Sequence, residues 1–414
     1  MVLVVSIEKK NIIKNFSYLV VTKGVDFIVP IVLLPYLVSA LGLSQFGLLS
    51  FALAIGVYFS SMMQYGYNIS AVRTIARVRD NASQLSVSFS ELLLSSILIC
   101  TFFSACYLLL FFIDAINSEY LLYLGVLFFV LMQSLFPAWL FQGIEKMHYI
   151  AMSNSLCKFL YLCSVLYWVN KPDDTYLVPF LQGGSWLIAL VIAVVIIYKK
   201  QLVSIRMPSW NGVLTTYKQG WPAFVTQFSP TLYSNSMTFI LGIFHGNTIV
   251  GIYSAAVRVI EIVNAMAFLL VNAALPLLSR NIALHKWLKN MMVMSGIVLC
   301  LFVIFGSPWF LPVLFSADSG QILELVQLAA LMIPFVFIRM AYGPAYLMLV
   351  GAEKSYQRIV LFTSLSGFII AWLAIPQWQI KGAIYVMLST TVVMTLMTYI
   401  AFNRFENRKR VEQR

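Results

Sequence analysis

Charge is scarce in this sequence. Asp, Glu, Lys and Arg make up only 10% of 414 residues, while 61% are hydrophobic, against averages of about 25% and ~45–50% in soluble domains. A soluble globular domain is thereby excluded, and the chain reads as an integral membrane protein. Ligand chemistry is equally thin. The five cysteines, Cys100, Cys106, Cys157, Cys163 and Cys300, lie inside apolar runs with no C-x-x-C pair, so they read as small core hydrophobes, neither disulfides nor metal ligands. The three histidines, His148, His245 and His285, fall at expected helix ends and read as solvated. No Gly-x4-Gly-Lys-Ser/Thr run occurs, which argues against ATP-driven transport by this chain alone. No metal and no cofactor are expected.

What the chain has is long apolar runs. About 20 largely apolar residues span ~30 Å of hydrocarbon, and that rule gives twelve candidate spans, near 16–40, 47–68, 88–113, 120–142, 149–169, 175–198, 221–244, 250–275, 290–315, 322–348, 357–376 and 382–402. The first follows Lys9, Lys10 and Lys14. It is longer than a secretory h-region and lacks a small-x-small cleavage site, so it is expected to be retained. Of the 27 basic residues, 21 fall on the side of the N-terminus, with Lys171 and Lys381 in the opposite loops. The positive-inside rule then places both termini in the cytoplasm. It also accounts for the net charge of +12 without nucleic acid, the basic loops meeting anionic lipid heads instead.

The sequence repeats itself. "PAWLFQGIEK" from Pro137 is echoed by "PAYLMLVGAEK" from Pro344, and "GLSQFGLLSFA" from Gly42 by "GNTIVGIYSAA" from Gly246. Pro137/Pro344 differ by 207, Gly143/Gly351 by 208, and Gly42/Gly246, Gly47/Gly251, Ser50/Ser254 and Ala52/Ala256 by 204. The expectation is an all-α membrane protein of about twelve transmembrane helices in two six-helix bundles, related by a pseudo-two-fold axis along the membrane normal. Parallel repeats of this kind suit a transporter with its substrate site between the halves. The expected divisions are 1–198, a basic cytoplasmic linker 199–220, a second bundle 221–403 and a basic tail 404–414. Pro30 and Pro35 in the first span and Pro222 and Pro230 in the seventh suggest bendable helices lining a cavity.

Six ionisable residues lie well inside the expected spans: Lys23, Asp26, Lys158, Arg258, Glu261 and Arg339. Each costs at least ~2.5–3.5 kcal/mol at the bilayer centre, so they are expected to face the bundle interior. Lys23/Asp26 and Arg258/Glu261 are i,i+3 pairs that could simply neutralise one another. None is mirrored in the other repeat, which favours a role toward an asymmetric substrate. Four bases and two acids make a cationic cavity suited to a phosphate ester. Tyr65, Tyr67, Tyr233 and Tyr342 sit where sugars could stack, although packing and interface anchoring are the simpler reading.

Over its whole length the chain resembles flippases of the Wzx type, the O-antigen and polysaccharide exporters of the multidrug/oligosaccharidyl-lipid/polysaccharide superfamily. The resemblance rests on "NFSYLVVTKGVDFIVPIVLLPYLVSALGLSQFGLLSFA", "FQGIEKM" and "VGIYSAAVRVIE" in that order. It implies transfer of an undecaprenyl-pyrophosphate-linked oligosaccharide from the inner to the outer leaflet of a bacterial inner membrane, by alternating access coupled to an ion gradient. Membrane lipids and polysaccharide polymerase machinery are the partners implied. Only a basic residue at Arg258 matches the family pattern by position. From the physics of the spans, Arg258, Lys158, Arg339 and Lys23 are expected to bind substrate and Asp26 and Glu261 to carry a coupling proton. A multidrug antiporter of the same superfamily is the nearest rival, but its cationic substrates would be repelled. A membrane polymerase or glycosyltransferase needs a catalytic loop, and the outer loops are only a few residues long.

Overall fold

Apolar runs in lipid must satisfy every backbone group internally, and the helix is the way one segment does so alone. The computed structural model describes the backbone of residues 2–280, 282–315 and 319–412, with side chains for 28–229, 231–233, 235–272, 274–275, 278–279, 282, 284–315 and 320–407. Among these there is no strand. The helices are α1 (Val2–Gln64), α2 (Ser70–Val78), α3 (Ala82–Leu108), α4 (Asp114–Asn117), α5 (Tyr120–Leu135), α6 (Ala138–Gly143) and α7 (Met147–Trp168). They continue as α8 (Leu177–Lys199), α9 (Trp210–Phe244), α10 (Asn247–Arg280), α11 (His285–Phe315), α12 (Ser319–Ala330), α13 (Ile333–Tyr342) and α14 (Glu353–Glu412). Nine stretches of the described residues are long and apolar enough to cross a membrane, and Asn235–Phe244 is a shorter apolar helix. Large apolar side chains such as Phe305 and Trp309 stand more than two-thirds exposed, as lipid-facing residues do.

Two helices each enclose two expected spans. In α1 the break is Gly42, with φ 75° and ψ 161°. That backbone is open to glycine and costly for other residues. Pro30 and Pro35 remain inside the helix, and the break at Gly42 falls between the expected spans 16–40 and 47–68. In α14 the chain turns at Gln379 (φ 48°). A Cβ on Gly382 would lie 2.7 Å from the Ala374 carbonyl oxygen, a proximity that eight residues of straight helix, about 12 Å long, would forbid.

The two "EK" echoes end helices by one device. Lys146 N–H donates to Phe141 O and Ala352 N–H to Leu347 O, both at 2.8 Å, the six-to-one bond of a Schellman cap. The left-handed residue is Glu145 (φ 58°) in the first copy and Gly351 (φ 83°) in the second. The structural equivalence is therefore offset by 206, whereas the glycines align at 208. The cap fixes which carbonyl is closed, and glycine need not occupy the same slot in both copies.

The chain divides into two compact units, Met1–Leu41 with Ile55–Phe228, and Gly42–Ala54 with Ser229–Arg414. This differs from an even cut at the linker. Of the segment 199–220, only 200–209 is irregular or turn, and α9 begins at Trp210. Within the first unit that irregular stretch is laced to α3: Ser204 N–H donates to Ser86 Oγ (3.1 Å), Arg206 N–H to Ser90 Oγ (2.8 Å) and Ser209 Oγ to Glu91 Oε1 (2.6 Å). Ser209 Oγ also accepts from Gly212 N–H at 3.0 Å, an N-cap that starts α9 at Trp210, eleven residues earlier than apolar content alone suggested. Helix α14 likewise runs through the expected tail to Glu412.

In the first unit α5 and α7 pack against α8. A Cβ on Gly125 would come within 2.9 Å of Phe180 and Pro179, and one on Gly183 within 2.5 Å of the Phe128 ring, the close approach that small residues allow between membrane helices. In the second unit, Gly47 and Gly251 meet backbone to backbone, a Cβ on Gly47 falling 2.6 Å from Gly251 N. Phe51 stacks on Phe239 at 6.1 Å, and Asn235 Nδ2 donates to Ala54 O at 2.5 Å. The repeated glycine motifs thus pack on each other, which is why Gly42–Ala54 belongs to the second unit.

Candidate functional site

The expected site residues fall on helices of both units. The side chains of Lys23 and Asp26 lie outside the described residues. In the first unit Lys158 is half-buried near the middle of α7. Its neighbour Cys157 is buried and donates to Ser185 O at 3.1 Å, which turns that edge of α7 toward α8 and sends Lys158 about 100° around the helix.

In the second unit Arg258 and Glu261 form an ion pair, Nη1 to Oε2 at 3.0 Å, with side chains 60% and 50% exposed. Arg258 lies eleven residues into the span Asn247–Asn272, about 16 Å along the helix. Arg339, on α13, is half-buried. Its Nη1 approaches Met394 Sδ at 3.0 Å, while its Nε is buried without a hydrogen-bond partner. Thioether sulfur is a weak acceptor, so this guanidinium keeps donor capacity for an anion. Polar groups gather on the α9 and α14 sides of the same unit: Tyr233 Oη donates to Met387 O (2.8 Å) and Thr395 Oγ1 to Phe335 O (3.0 Å). The i,i+3 pairing expected of Arg258 and Glu261 is present, and nothing among the described residues joins Arg339 to a carboxylate.

One expectation changes. His285 is buried, with Nε2 3.0 Å from Ala341 O and its ring 4.6 Å from Tyr346. It is therefore a packed residue, not a solvated one. The cause is the π-helical turn Gly343–Leu347, which brings Tyr346 across the start of α11. Tyr65 and Tyr342 are packing residues: Tyr65 lies 5.3 Å from Phe224 and Tyr342 4.7 Å from Phe402, centroid to centroid. Outside the spans, Arg79 pairs with Glu145. That carboxylate raises the Arg79 pKa through a hydrogen bond and its charge, pinning the basic turn after α2 to the one before α7.

Sequence reasoning passed over the uncharged amides. Asn68 Nδ2 donates to Gln64 Oε1 (3.3 Å), Gln64 Nε2 to Ser60 Oγ (2.8 Å) and Ser60 Oγ to Gln133 Oε1 (3.3 Å). This chain of bonds ties the end of α1 to α5. The available signal was the presence of Gln and Asn within otherwise apolar spans.

Two curated relatives cover nearly all of the chain. Each is described as "Putative O-antigen transporter". The one from Escherichia coli (strain K12) is 24% identical over 404 residues, 94% of this chain and 96% of the relative. The one from Shigella dysenteriae is 21% identical over 393 residues, 92% and 98% respectively. Among solved structures, lipid II flippase MurJ in an inward closed conformation matches with a TM-score of 0.71 at 13% identity, over 93% of this chain and 87% of that one. An inward-facing multidrug resistance MATE family transporter of the MOP superfamily matches at 0.64 and 12%, over 95% and 98%. These likenesses show a shared fold. The family profile described as "Polysaccharide biosynthesis protein" matches residues 12–282, well over half of the sequence, and the chain belongs to that family.

Proposed function

We propose that this protein is a flippase that carries undecaprenyl-pyrophosphate-linked oligosaccharide from the cytoplasmic to the outer leaflet of a bacterial inner membrane, acting as a transporter and not as an enzyme. The observation that carries the reading is the guanidinium of Arg339, whose buried Nε has no acceptor in the otherwise uncharged helix α13. A desolvated donor of that kind recognises phosphate oxygens, and arginine keeps its charge when partly buried. The same feature disfavours the multidrug antiporter reading, whose cationic cargo Arg339 would repel. The near full-length match to proteins described as O-antigen transporters supports the cargo class. Arg258, Lys158 and Lys23 complete the basic set that holds the pyrophosphate, both termini lie in the cytoplasm, and the movement is alternating access.

A proton carried by Asp26 or Glu261 couples transport, each acid lying three residues from a base inside an expected span. Transport in proteoliposomes under an imposed pH gradient checks this: Asp26→Asn or Glu261→Gln should uncouple it, and unchanged coupling in both would remove them from the mechanism. The function as a whole is tested by deleting the gene. Surface polysaccharide should disappear while lipid-linked units accumulate on the cytoplasmic leaflet, and normal surface polysaccharide would refute the reading.

A further inference from the structure

The first unit contains a cavity of about 170 Å³ that the basic residues do not line. A single ordered water needs only ~10–15 Å³ by the same measure, so the space suits something larger. Its polar wall is Gln64, Asn68, Gln133, Ser134 and Asn154, and its apolar wall includes Tyr67, Trp139 and Trp186. No charged side chain faces it. An anion would want a base here and a cation an acid. Amides and hydroxyls both donate and accept, which is the pattern of a neutral, polyhydroxylated ring.

One group in this wall is buried and unsatisfied. Ser134 Oγ is buried without a hydrogen-bond partner on a residue only 7% exposed, and Asn154 makes no hydrogen bond among the described residues. A buried hydroxyl left unpaired costs about 1–3 kcal/mol, so Ser134 stores an interaction that a ligand can complete. The other amides are held in place by the Asn68–Gln64–Ser60–Gln133 chain, which fixes their orientation before anything binds. Trp186 is half-exposed and braced edge-on by Phe136, ring centroids 5.6 Å apart. Indole faces of that kind are where sugar C–H groups stack.

Position adds chemistry to shape. Asn154 and Lys158 are four residues apart on α7, hence on one face and separated by about 6 Å along the axis. The sugar next to the phosphate in a lipid-linked oligosaccharide is joined to it through one glycosidic oxygen, a similar spacing. We propose that this cavity is a saccharide subsite that holds the phosphate-proximal sugar through Ser134, Asn154 and Trp186 while Lys158, one turn further along α7, neighbours the pyrophosphate. The inference rests on the flippase reading for its ligand and on the cavity for its chemistry.

The test uses the purified full-length chain and, as probe, the reducing oligosaccharide repeat unit released by mild acid from the host's own lipid-linked pool, free of lipid and phosphate. Saturation-transfer NMR should show the strongest transfer to protons of the reducing-end sugar. Ser134→Ala and Asn154→Ala should each weaken binding about fivefold, one hydrogen bond's worth, while keeping the wild-type elution profile and an unfolding temperature no lower than wild type. Ser134→Ala deletes a single oxygen, so folding does not obscure the result. Sodium pyrophosphate should not compete. No transfer in the wild type, transfer centred on the distal sugars, or unchanged binding in both variants would overturn the subsite. The same preparations in proteoliposomes separate the two ideas: a wild type that flips lipid-linked units while both variants flip equally well refutes the subsite alone. Specific oligosaccharide binding with no flipping refutes the flippase reading and leaves the subsite standing.

Discussion

Arg258 either holds the cargo or balances Glu261, and a double mutant separates the two. The pair spans 3.0 Å between side chains that are 60% and 50% exposed. An ion pair that open contributes only about 0.2–1 kcal/mol where it meets water. Arg258→Ala, by contrast, strands a carboxylate in mid-span at a cost of about 2.5–3.5 kcal/mol on insertion scales. If balance were the whole role, each single alanine variant would lose inserted protein, and Arg258→Ala/Glu261→Ala would return to within about 1 kcal/mol of wild type. If Arg258 binds phosphate, its loss removes charge-assisted hydrogen bonds of about 1.5–3 kcal/mol, roughly ten- to hundredfold in transport. The double mutant then stays inactive although it inserts normally, and Arg258→Lys keeps part of the activity because charge persists without the fork. The assay is surface polysaccharide normalised to membrane-inserted protein. Recovery of polysaccharide in the double mutant would refute both the headgroup role of Arg258 and a coupling role of Glu261.

Gly47→Ala should lower the unfolding temperature of the detergent-solubilised protein, at a cost toward the upper end of about 1–3 kcal/mol, because its Cβ meets backbone of α10. Gly184→Ala, with nothing within 4 Å of the new carbon, should leave it unchanged or slightly raised. Ser90→Ala removes the acceptor for Arg206 N–H, about 1 kcal/mol of docking for the 200–209 segment. Trypsin cleavage after Arg206 should accelerate about fivefold, and an unchanged rate would mean that segment is held by other contacts. A cysteine at Met207, which is 97% exposed, should be shielded from an impermeant thiol reagent in intact cells. One at Asn117 should react once the outer membrane is permeabilised, and the reverse pattern would invert the topology.

Fold class was legible because lipid imposes one rule on the backbone, and apolar runs of about 20 residues follow from it. The turn near Gln379 could be read from "PQWQIK" between two such runs. The break at Gly42 was legible in the same way, since it falls between the expected spans 16–40 and 47–68, while Pro30 and Pro35 lie where the helix tolerates them. The fate of 199–220 was illegible. Its basic, polar composition predicts solvent, yet Ser86, Ser90 and Glu91 of α3 supply the partners that hold it, and nothing in a local window announces bonds made more than a hundred residues away. The charged candidates stood out because each conflicts with its surroundings. Gln133, Ser134 and Asn154 did not, since an amide or hydroxyl costs too little in a span to mark itself, and only the structure gathers them around one cavity.

The central claim is tested most directly by reconstitution. Purified protein is placed in liposomes carrying fluorescent undecaprenyl-pyrophosphate-linked oligosaccharide in both leaflets, and a membrane-impermeant glycosidase is added outside. The shielded inner-leaflet fraction should become cleavable in the presence of wild-type protein, and stay shielded with Arg339→Ala at equal protein content. Cleavage that stops at the outer-leaflet fraction with wild-type protein, as in protein-free liposomes, would contradict it.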